Sequence, residues 1–244
     1  MKQYEAVIKI MEENGGYATL GHLNQMVLKV EGCEWKTKTP FASIRRIVQD
    51  DRFFFKIRPG LWALNSYRDK LPPQIFPAKD QPKAKQEEYS HTYYQGLLVE
   101  LGNFNKYKTF VPKQDKNRLY LGKKLSEITT ISDMYHFSYD RIVNIVHTVD
   151  VTWFNERDMP KSLFEIEHST DMRNSLLKFV ELQDFSVIFY IVADGIRKRE
   201  YLTKISLEAF KPISKRVRFW NYDDVAELHA KTSEFIAIES RLRL

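Results

Sequence analysis

The segment Pro160 to Phe185 reads PKSLFEIEHSTDMRNSLLKFVELQDF, and in it two carboxylates, Glu165 and Glu167, stand with only Ile166 between them. Side chains alternate across a strand, so both acids project from one face and Ile166 from the other. A third acid, Asp150, lies upstream in RIVNIVHTVDVTWF, whose β-branched and aromatic content predicts a strand, and the turn NERDMP joins the two runs. If the hairpin register pairs them, Asp150 reaches the same place as the glutamates. Three carboxylates at one end of a sheet repel one another strongly in a low-dielectric site unless a cation neutralises them. Oxygen-only ligands suit Mg2+ or Mn2+ rather than zinc, so these residues predict a divalent-metal site. An E-x-E pair alone is common on exposed sheet faces. Its weight here comes from the apolar flanks, from Asp150 at hairpin distance and from the helix that follows.

The elements that must position these acids can be read around them. HTYYQGLLVELGNFN, His91 to Asn105, predicts an amphipathic helix with Tyr94, Leu97, Leu98 and Leu101 inward and Glu100 at its edge. YKTFVP reads as a strand. STDMRNSLLKFVELQ predicts a helix with Ser169 and Thr170 as candidate caps, and FSVIFYIVAD predicts a buried strand. The resulting order is helix, three strands, helix, strand: an α/β unit with a mixed central sheet. His168 and His147 read as structural. A GxxxxGK[ST] phosphate loop and the zinc-helix spacings are absent from the sequence.

Tyr67 to Ser90, with four prolines and many charges, has linker composition. The expected organisation is therefore a domain over 1–66, a linker over 67–90 and a second domain over 91–244. In the first, YEAVIKIMEENGG puts Tyr4, Val7, Ile8 and Met11 on one helical face and stops at Gly15-Gly16. TLGHLNQMVLKV gives a second helix with Leu20, Leu23, Met26 or Val27, and Val30 inward. A third begins at Thr39-Pro40, buries Phe41, Ile44 and Val48, and shows Ser43, Arg45, Arg46 and Gln49 outward. Two short strands follow around Arg58-Pro59-Gly60. Three helices and a β-hairpin in this order predict a winged helix-turn-helix, with Lys38, Ser43, Arg45, Arg46, Gln49 and Arg58 as candidate DNA contacts.

The bulk properties fit two folded domains. The chain has 244 residues, 43% hydrophobic and 29% charged, with 13 Tyr and 16 Phe to fill cores. Its longest apolar run, Val187 to Ala193, is far short of a membrane span. The N-terminal MKQYEAVIKIMEENGG has charges among its apolar positions, unlike a signal peptide, so a cytoplasmic protein is expected. A single cysteine, Cys33, excludes an internal disulfide and a cysteine-based zinc site. Net charge is +6 with a pI near 9.1, which permits a nucleic-acid partner.

Two resemblances follow from these motifs. TPFASIRRIVQDDRFF and PGLWAL resemble the third helix and wing of the HARE-type winged helix found beside restriction endonucleases and chromatin proteins. VDVTWF followed by SLFEIEHST resembles the PD-(D/E)XK nuclease superfamily, in its restriction-endonuclease-like branch, over about His91 to Val225. That resemblance implies metal held by Asp150, Glu165 and the backbone carbonyl of Ile166, and a role for Glu100 matching the helix acid that contacts metal or its water. The superfamily has lysine where this chain has Glu167, which by the resemblance would act as general base or orient the attacking water. Lys178, Arg173, Lys113 and Arg118 are candidates for phosphate contacts. The implied activity is metal-dependent hydrolysis of phosphodiester bonds in double-stranded DNA, of a type II-like restriction kind. The alternatives are a DNA-repair nuclease, or a non-catalytic DNA-binding or regulatory protein on a nuclease fold. Cutting both strands implies a homodimer, and a restriction role implies a partner methyltransferase acting on the same DNA.

Overall fold

Glycine and proline set the limits of the first elements. Helix α1 (Gln3–Glu13) buries Ala6, Val7, Ile10 and Met11 on one stripe. It stops at Gly15 and Gly16, whose φ values of 80° and 89° suit residues without a Cβ. Strand β1 (Tyr17–Thr19) leads into α2 (Leu20–Met26), where the Thr19 hydroxyl caps the helix by accepting from the His22 amide at 3.1 Å. Val27, in the 3-10 turn that follows, takes the inward position and leaves Met26 exposed. Helix α3 (Pro40–Ile47) opens with proline at its first position. Phe41 and Ile44, with Val48 just beyond, point into the core. Strands β2 (Phe54–Arg58) and β3 (Leu61–Leu64) turn through Pro59-Gly60, and the antiparallel order is β1-β3-β2.

The computed structural model describes residues 1–78 and 80–242 and divides into two units. One comprises Met1–Pro82 together with the chain from Ala226 on; the other is Lys83–Val225. Residues 79, 243 and 244, which the expected linker and second domain include, lie outside the described residues. The proline-rich stretch therefore departs from a free linker. Phe76 packs edge-on against Phe55 at 5.3 Å, Arg68 lies 3.9 Å over the Phe55 ring, and Leu71 and Ile75 are buried. These apolar anchors fix the segment to the first unit despite its charge.

The second unit begins with α4 (Lys83–Phe104), two turns earlier than its sequence pattern predicts. Strand β4 (Lys108–Phe110) follows, then the small ribbon β5 (Leu119–Tyr120) and β6 (Lys123–Lys124), then the short helices α5 (Leu125–Ile128) and α6 (Asp140–Val146). Helix α6 corrects the strand expected over RIVNIVHTVDVTWF. Ile142, Val143 and Val146 have helical spacing, and Ile142, Val146 and the following Val149 enter the core beside Leu163 and Leu176. Tertiary burial of that stripe overrides the strand preference of the β-branched residues. Only β7 (Val151–Phe154) is extended.

Strand β8 (Pro160–Glu167), helix α7 (Met172–Val180), strand β9 (Ile188–Ala193), helix α8 (Lys198–Ile205), strand β10 (Val217–Asn221) and helix α9 (Tyr222–Leu242) complete the chain. The sheet order is β10-β9-β8-β7-β4, parallel across β10, β9 and β8 and antiparallel across β8, β7 and β4. This is a mixed α/β architecture. Central β8 pairs on both sides, which suits its apolar content. Phe164 on one face stacks on Tyr190 at 4.5 Å, and Leu163 on the other joins Met172, Leu176 and Phe179 of α7. Helix α9 has no counterpart among the sequence expectations, and most of it belongs to the first unit, so the span 91–244 is not one body. Among the described residues no helix is long and apolar enough to cross a membrane.

Candidate metal centre

The hairpin register decides where the acids fall. Val151 pairs with Phe164 and Thr152 with Leu163, so one residue further sets Asp150 beside Glu165. The contact is direct: the Ile166 amide donates to Asp150 Oδ2 at 2.7 Å. Glu165 and Glu167, each 4% exposed, alternate with Ile166 as the pleat requires.

Helix α7 covers this strand end with two faces at work. Met172, Leu176 and Phe179 go into the core, while Ser175 and Lys178, three residues apart, lie over the carboxylates. The Ser175 hydroxyl donates to Glu165 Oε2 at 3.1 Å and to Glu167 Oε1. Lys178 Nζ donates to both Glu165 oxygens, at 2.8 and 3.1 Å, and to the Thr148 carbonyl at 3.1 Å. The Thr170 hydroxyl also donates to Glu167, so it does not cap the helix as expected. That role falls to Asp171, whose side chain accepts from the Arg173 amide.

From the other side comes α4. His91 Nε2 stands 3.4 Å from Asp150 Oδ1. One turn on, the fully buried Gln95 amide donates to Asp115 Oδ2 at 2.8 Å and to the Asp150 carbonyl at 3.1 Å. Asp115, 3% exposed and carried by the turn after β4, pairs with Arg118 at 3.1 Å. Asp150, Glu165, Glu167, His91 and Asp115 line one cavity of about 450 Å³, with Lys178 and Arg118 among its cations.

The charges there are strongly perturbed. Burial, reinforced by Asp150, pushes the Glu165 carboxyl up to about 8 against the pull of Lys178. Burial works to raise Asp150 as well, but His91, the Ile166 amide and Lys178 prevail and hold it below its ordinary range. His91 is desolvated too, yet Asp150 and Asp115 raise it. His168, buried and facing the charge of His91, is held down to about 4. Its ring meets the Tyr222 hydroxyl at 2.8 Å, and it lines the cavity rather than packing away from it.

Other sequence candidates lie elsewhere. Glu100 does not line the cavity; it accepts from the Tyr120 hydroxyl at 2.8 Å, because Glu87, Glu88 and His91 sit on the part of α4 that faces the acids. In the first unit the six candidate contacts do not share one site. Lys38 and Arg45 line a cavity of about 1050 Å³ that also includes Trp35 and Phe41. Arg46 and Gln49 flank a separate hollow beside Tyr4. Ser43 bonds back to the Thr39 carbonyl at 3.4 Å, and Arg58 donates to the Ile75 carbonyl at 3.2 Å, which ties the hairpin to the segment after it. Sequence reasoning missed His91, Gln95, Asp115, Ser175 and Thr170 as site residues. The local signal was the i, i+4 spacing of two polar residues, His91 and Gln95, beside the apolar stripe of Tyr94, Leu97, Leu98 and Leu101.

The family described as Type II restriction enzyme NmeDI C-terminal domain has a model that matches residues 70–241. A curated relative, the type II restriction enzyme NmeDI of Neisseria meningitidis serogroup C, is 23% identical over 150 residues, which is 57% of this chain and 42% of the relative. The chain thus spans less than half the length of that relative. No solved structure matches it.

Proposed function

Because the chain belongs to the restriction-enzyme family described as the NmeDI C-terminal domain, we propose that its second unit is a Mg2+- or Mn2+-dependent endonuclease acting on double-stranded DNA, of the PD-(D/E)XK type. The observation that carries this reading is the clasp at the sheet end: the Ile166 amide on Asp150 at 2.7 Å, with Glu165 buried alongside. The residues fit a hard dication. The chain by itself offsets the charge with an ammonium, Lys178, at 2.8 Å from a Glu165 carboxyl that holds its proton up to about 8. A dication held by Asp150, Glu165 and the Ile166 carbonyl does the same without the proton.

When bound, such an ion lowers the pKa of a water and offsets the charge that develops on the scissile phosphate. The chain's own groups do the rest. The Ile166 amide and His91 fix the orientation of Asp150. Ser175 holds Glu165 and Glu167 together, and Thr170 holds the second Glu167 oxygen, so that Glu167 accepts the proton of the attacking water. The water oxygen bonds to phosphorus as the bond to the 3′ oxygen breaks, leaving 5′-phosphate and 3′-hydroxyl ends. Lys178, a third exposed at the cavity edge, faces the phosphate.

The first unit, with its helix-strand-helix-helix-hairpin order, serves in this reading as a winged helix that reads DNA through α3. Cutting both strands takes two copies, and protection of host DNA takes a methyltransferase with the same target. The test is incubation of supercoiled plasmid with Mg2+ or Mn2+ against a chelator control. Nicking or linearisation that Asp150→Ala abolishes, with DNA binding retained, is the expected result; metal-dependent cleavage that survives in Asp150→Ala refutes the site.

A further inference from the structure

The first unit has a cavity of about 1050 Å³ for which the nuclease reading has no use. It lies beside the contact of α2 with α9. Gly21 lets the two helices touch, since a Cβ there would stand 2.6 Å from the His229 ring, and the Asn24 amide ties them by donating to the Ala230 carbonyl at 3.1 Å. The segment between Val30 and Pro40, the start of α3 and the later half of α9 complete the lining. The space is at the upper end of the roughly 300 to 1,000 Å³ of sites that enclose a small organic ligand.

Its lining combines two kinds of side chain. Leu28, Trp35, Ala237 and Ile238 pack against the core of the unit, are only partly buried by it and line the cavity, and Phe41 adds a second aromatic ring. Among them stand Lys29, Lys38, Arg45, Lys231 and Arg241 against one acid, Glu234, which Lys231 already neutralises at 3.1 Å. Lys29, Lys38 and Arg45 pair with no acid among the described residues. Cations left over beside an aromatic wall suit an anion that carries an apolar or aromatic body. A plain hydrocarbon is the wrong body, because Asn24, Gln25, Thr37 and Thr39 set polar groups among the apolar ones, and an alkyl chain would desolvate them without bonding to them. A nucleobase offers donors and acceptors along its edge and a face on which Trp35 or Phe41 can stack, and its phosphate meets the cations.

We infer that this cavity binds a single nucleoside monophosphate unit, with the base beside Trp35 and the phosphate on Lys38 and Arg45. A free mononucleotide offers that chemistry, and so does a nucleotide of a DNA strand that has left the base stack. A base still paired within a duplex offers no free face to the cavity. The inference therefore goes beyond the reading of α3 as a duplex reader and does not need it.

The chain supplies its own probe, because its one cysteine, Cys33, lines this cavity and is partly exposed. Alkylation of the native full chain by N-ethylmaleimide, followed by intact mass, reads occupancy there, and calorimetry of the same titration gives the stoichiometry. Deoxyadenosine or thymidine 5′-monophosphate at saturation is expected to bind one equivalent and slow alkylation by about tenfold. Deoxyadenosine alone and inorganic phosphate alone, at the same concentration, are expected to leave it unchanged. Lys38→Ala, at an exposed side chain, should raise the half-protecting concentration by about tenfold. Trp35→Ala should do the same; if its melting curve shows a misfolded chain, Lys38→Ala decides. A single-stranded oligonucleotide that protects where its abasic counterpart does not identifies DNA as the source of the nucleotide, and protection by the mononucleotide alone identifies the free form. No protection and no heat with any of these, equal protection by inorganic phosphate, or an unchanged titration in Lys38→Ala overturns the inference. Duplex DNA that binds in fluorescence anisotropy while no nucleotide protects Cys33 leaves the winged-helix reading standing without the cavity, and nucleotide protection without duplex binding does the reverse.

Discussion

Glu165→Gln gives the sharpest test of the charge arrangement, because it can be read in the metal-free protein. Glu165 is 4% exposed, and its carboxyl moves from 4.5 to about 8 through burial and the neighbouring Asp150. The folded state therefore binds this proton more tightly than the unfolded chain. Its stabilising contribution is complete below pH 4.5 and is lost as pH rises to about 8. At ~1.4 kcal/mol per pKa unit, the three to four units involved amount to roughly 5 kcal/mol. Glutamine cannot ionise, so the variant lacks this loss. His168, held down to about 4, works the other way and adds stability as pH rises from 4 towards its unfolded value of 6.5. His91, whose pKa is raised, loses stabilisation above 6.5. Both are common to the two proteins, so the difference between them isolates Glu165. Urea unfolding in chelator from pH 4.5 to 8.5 should show Glu165→Gln gaining on the unaltered chain by several kcal/mol over that range. Mg2+ at pH 8 should restore the unaltered chain and not the variant. Parallel pH curves for the two proteins refute the reasoning.

Four other outcomes are expected. Lys178→Met removes the pull that lowers the Glu165 carboxyl, so the Mg2+ concentration for half-maximal cleavage at pH 7 should rise by about tenfold for each unit by which the Glu165 pKa rises; an unchanged Mg2+ titration counts against the pairing. Glu167→Gln should abolish cleavage while retaining DNA binding, and Glu167→Lys should not rescue it, since Ser175 and Thr170 both donate to that carboxylate and would meet an ammonium donor instead; full cleavage by the lysine variant removes the role given to Glu167. Arg46→Ala should weaken DNA binding and reduce its salt slope by about one unit if the contact is to phosphate, as read by fluorescence anisotropy at several salt concentrations. Gly96→Ala should destabilise the second unit by about 1 to 3 kcal/mol in chemical denaturation, because the new Cβ would stand 2.1 Å from the buried Tyr120 ring.

What the sequence disclosed about the site depended on how far apart its residues lie. The Ile166–Asp150 contact spans 16 residues, within one hairpin, so alternation and a short turn were enough to expect Asp150 near the glutamates if the register paired them, though not its bond to the Ile166 amide. The Gln95–Asp150 contact spans 55, and nothing in α4 required a polar partner there, since Tyr94, Leu97, Leu98 and Leu101 already account for a buried stripe. Asp115 sits in a charged turn between two candidate phosphate contacts, Lys113 and Arg118, with no apolar neighbour to announce its burial, yet it is 3% exposed because Gln95 and Arg118 close over it. The same contrast explains the elements. Helix α7 announced itself through large apolar residues at helical spacing. Helix α9 did not: beyond Val225 its buried positions are Ala226, His229, Ala230 and Ser233, whereas Leu228 and Phe235 are exposed. Small and polar residues give close packing but almost no hydropathic signal.

Charge balance links these observations. Where the nuclease superfamily it resembles carries a strand lysine, this chain has Glu167, which adds a negative charge to a strand end already holding Asp150 and Glu165. Buried like charges cannot all remain ionised without compensation. The chain supplies it from three directions: Lys178 of α7 on Glu165, His91 of α4 on Asp150, and the hydroxyls of Ser175 and Thr170 on Glu167. A lone surface lysine at position 178 would gain little from one exposed acid. Its position over the 6% exposed Glu165 side chain compensates a buried acid that apolar residues of the same size would not need compensating. In the proposed reading the acids are kept for cation binding, which would account for why the extra acid and the helix lysine occur together.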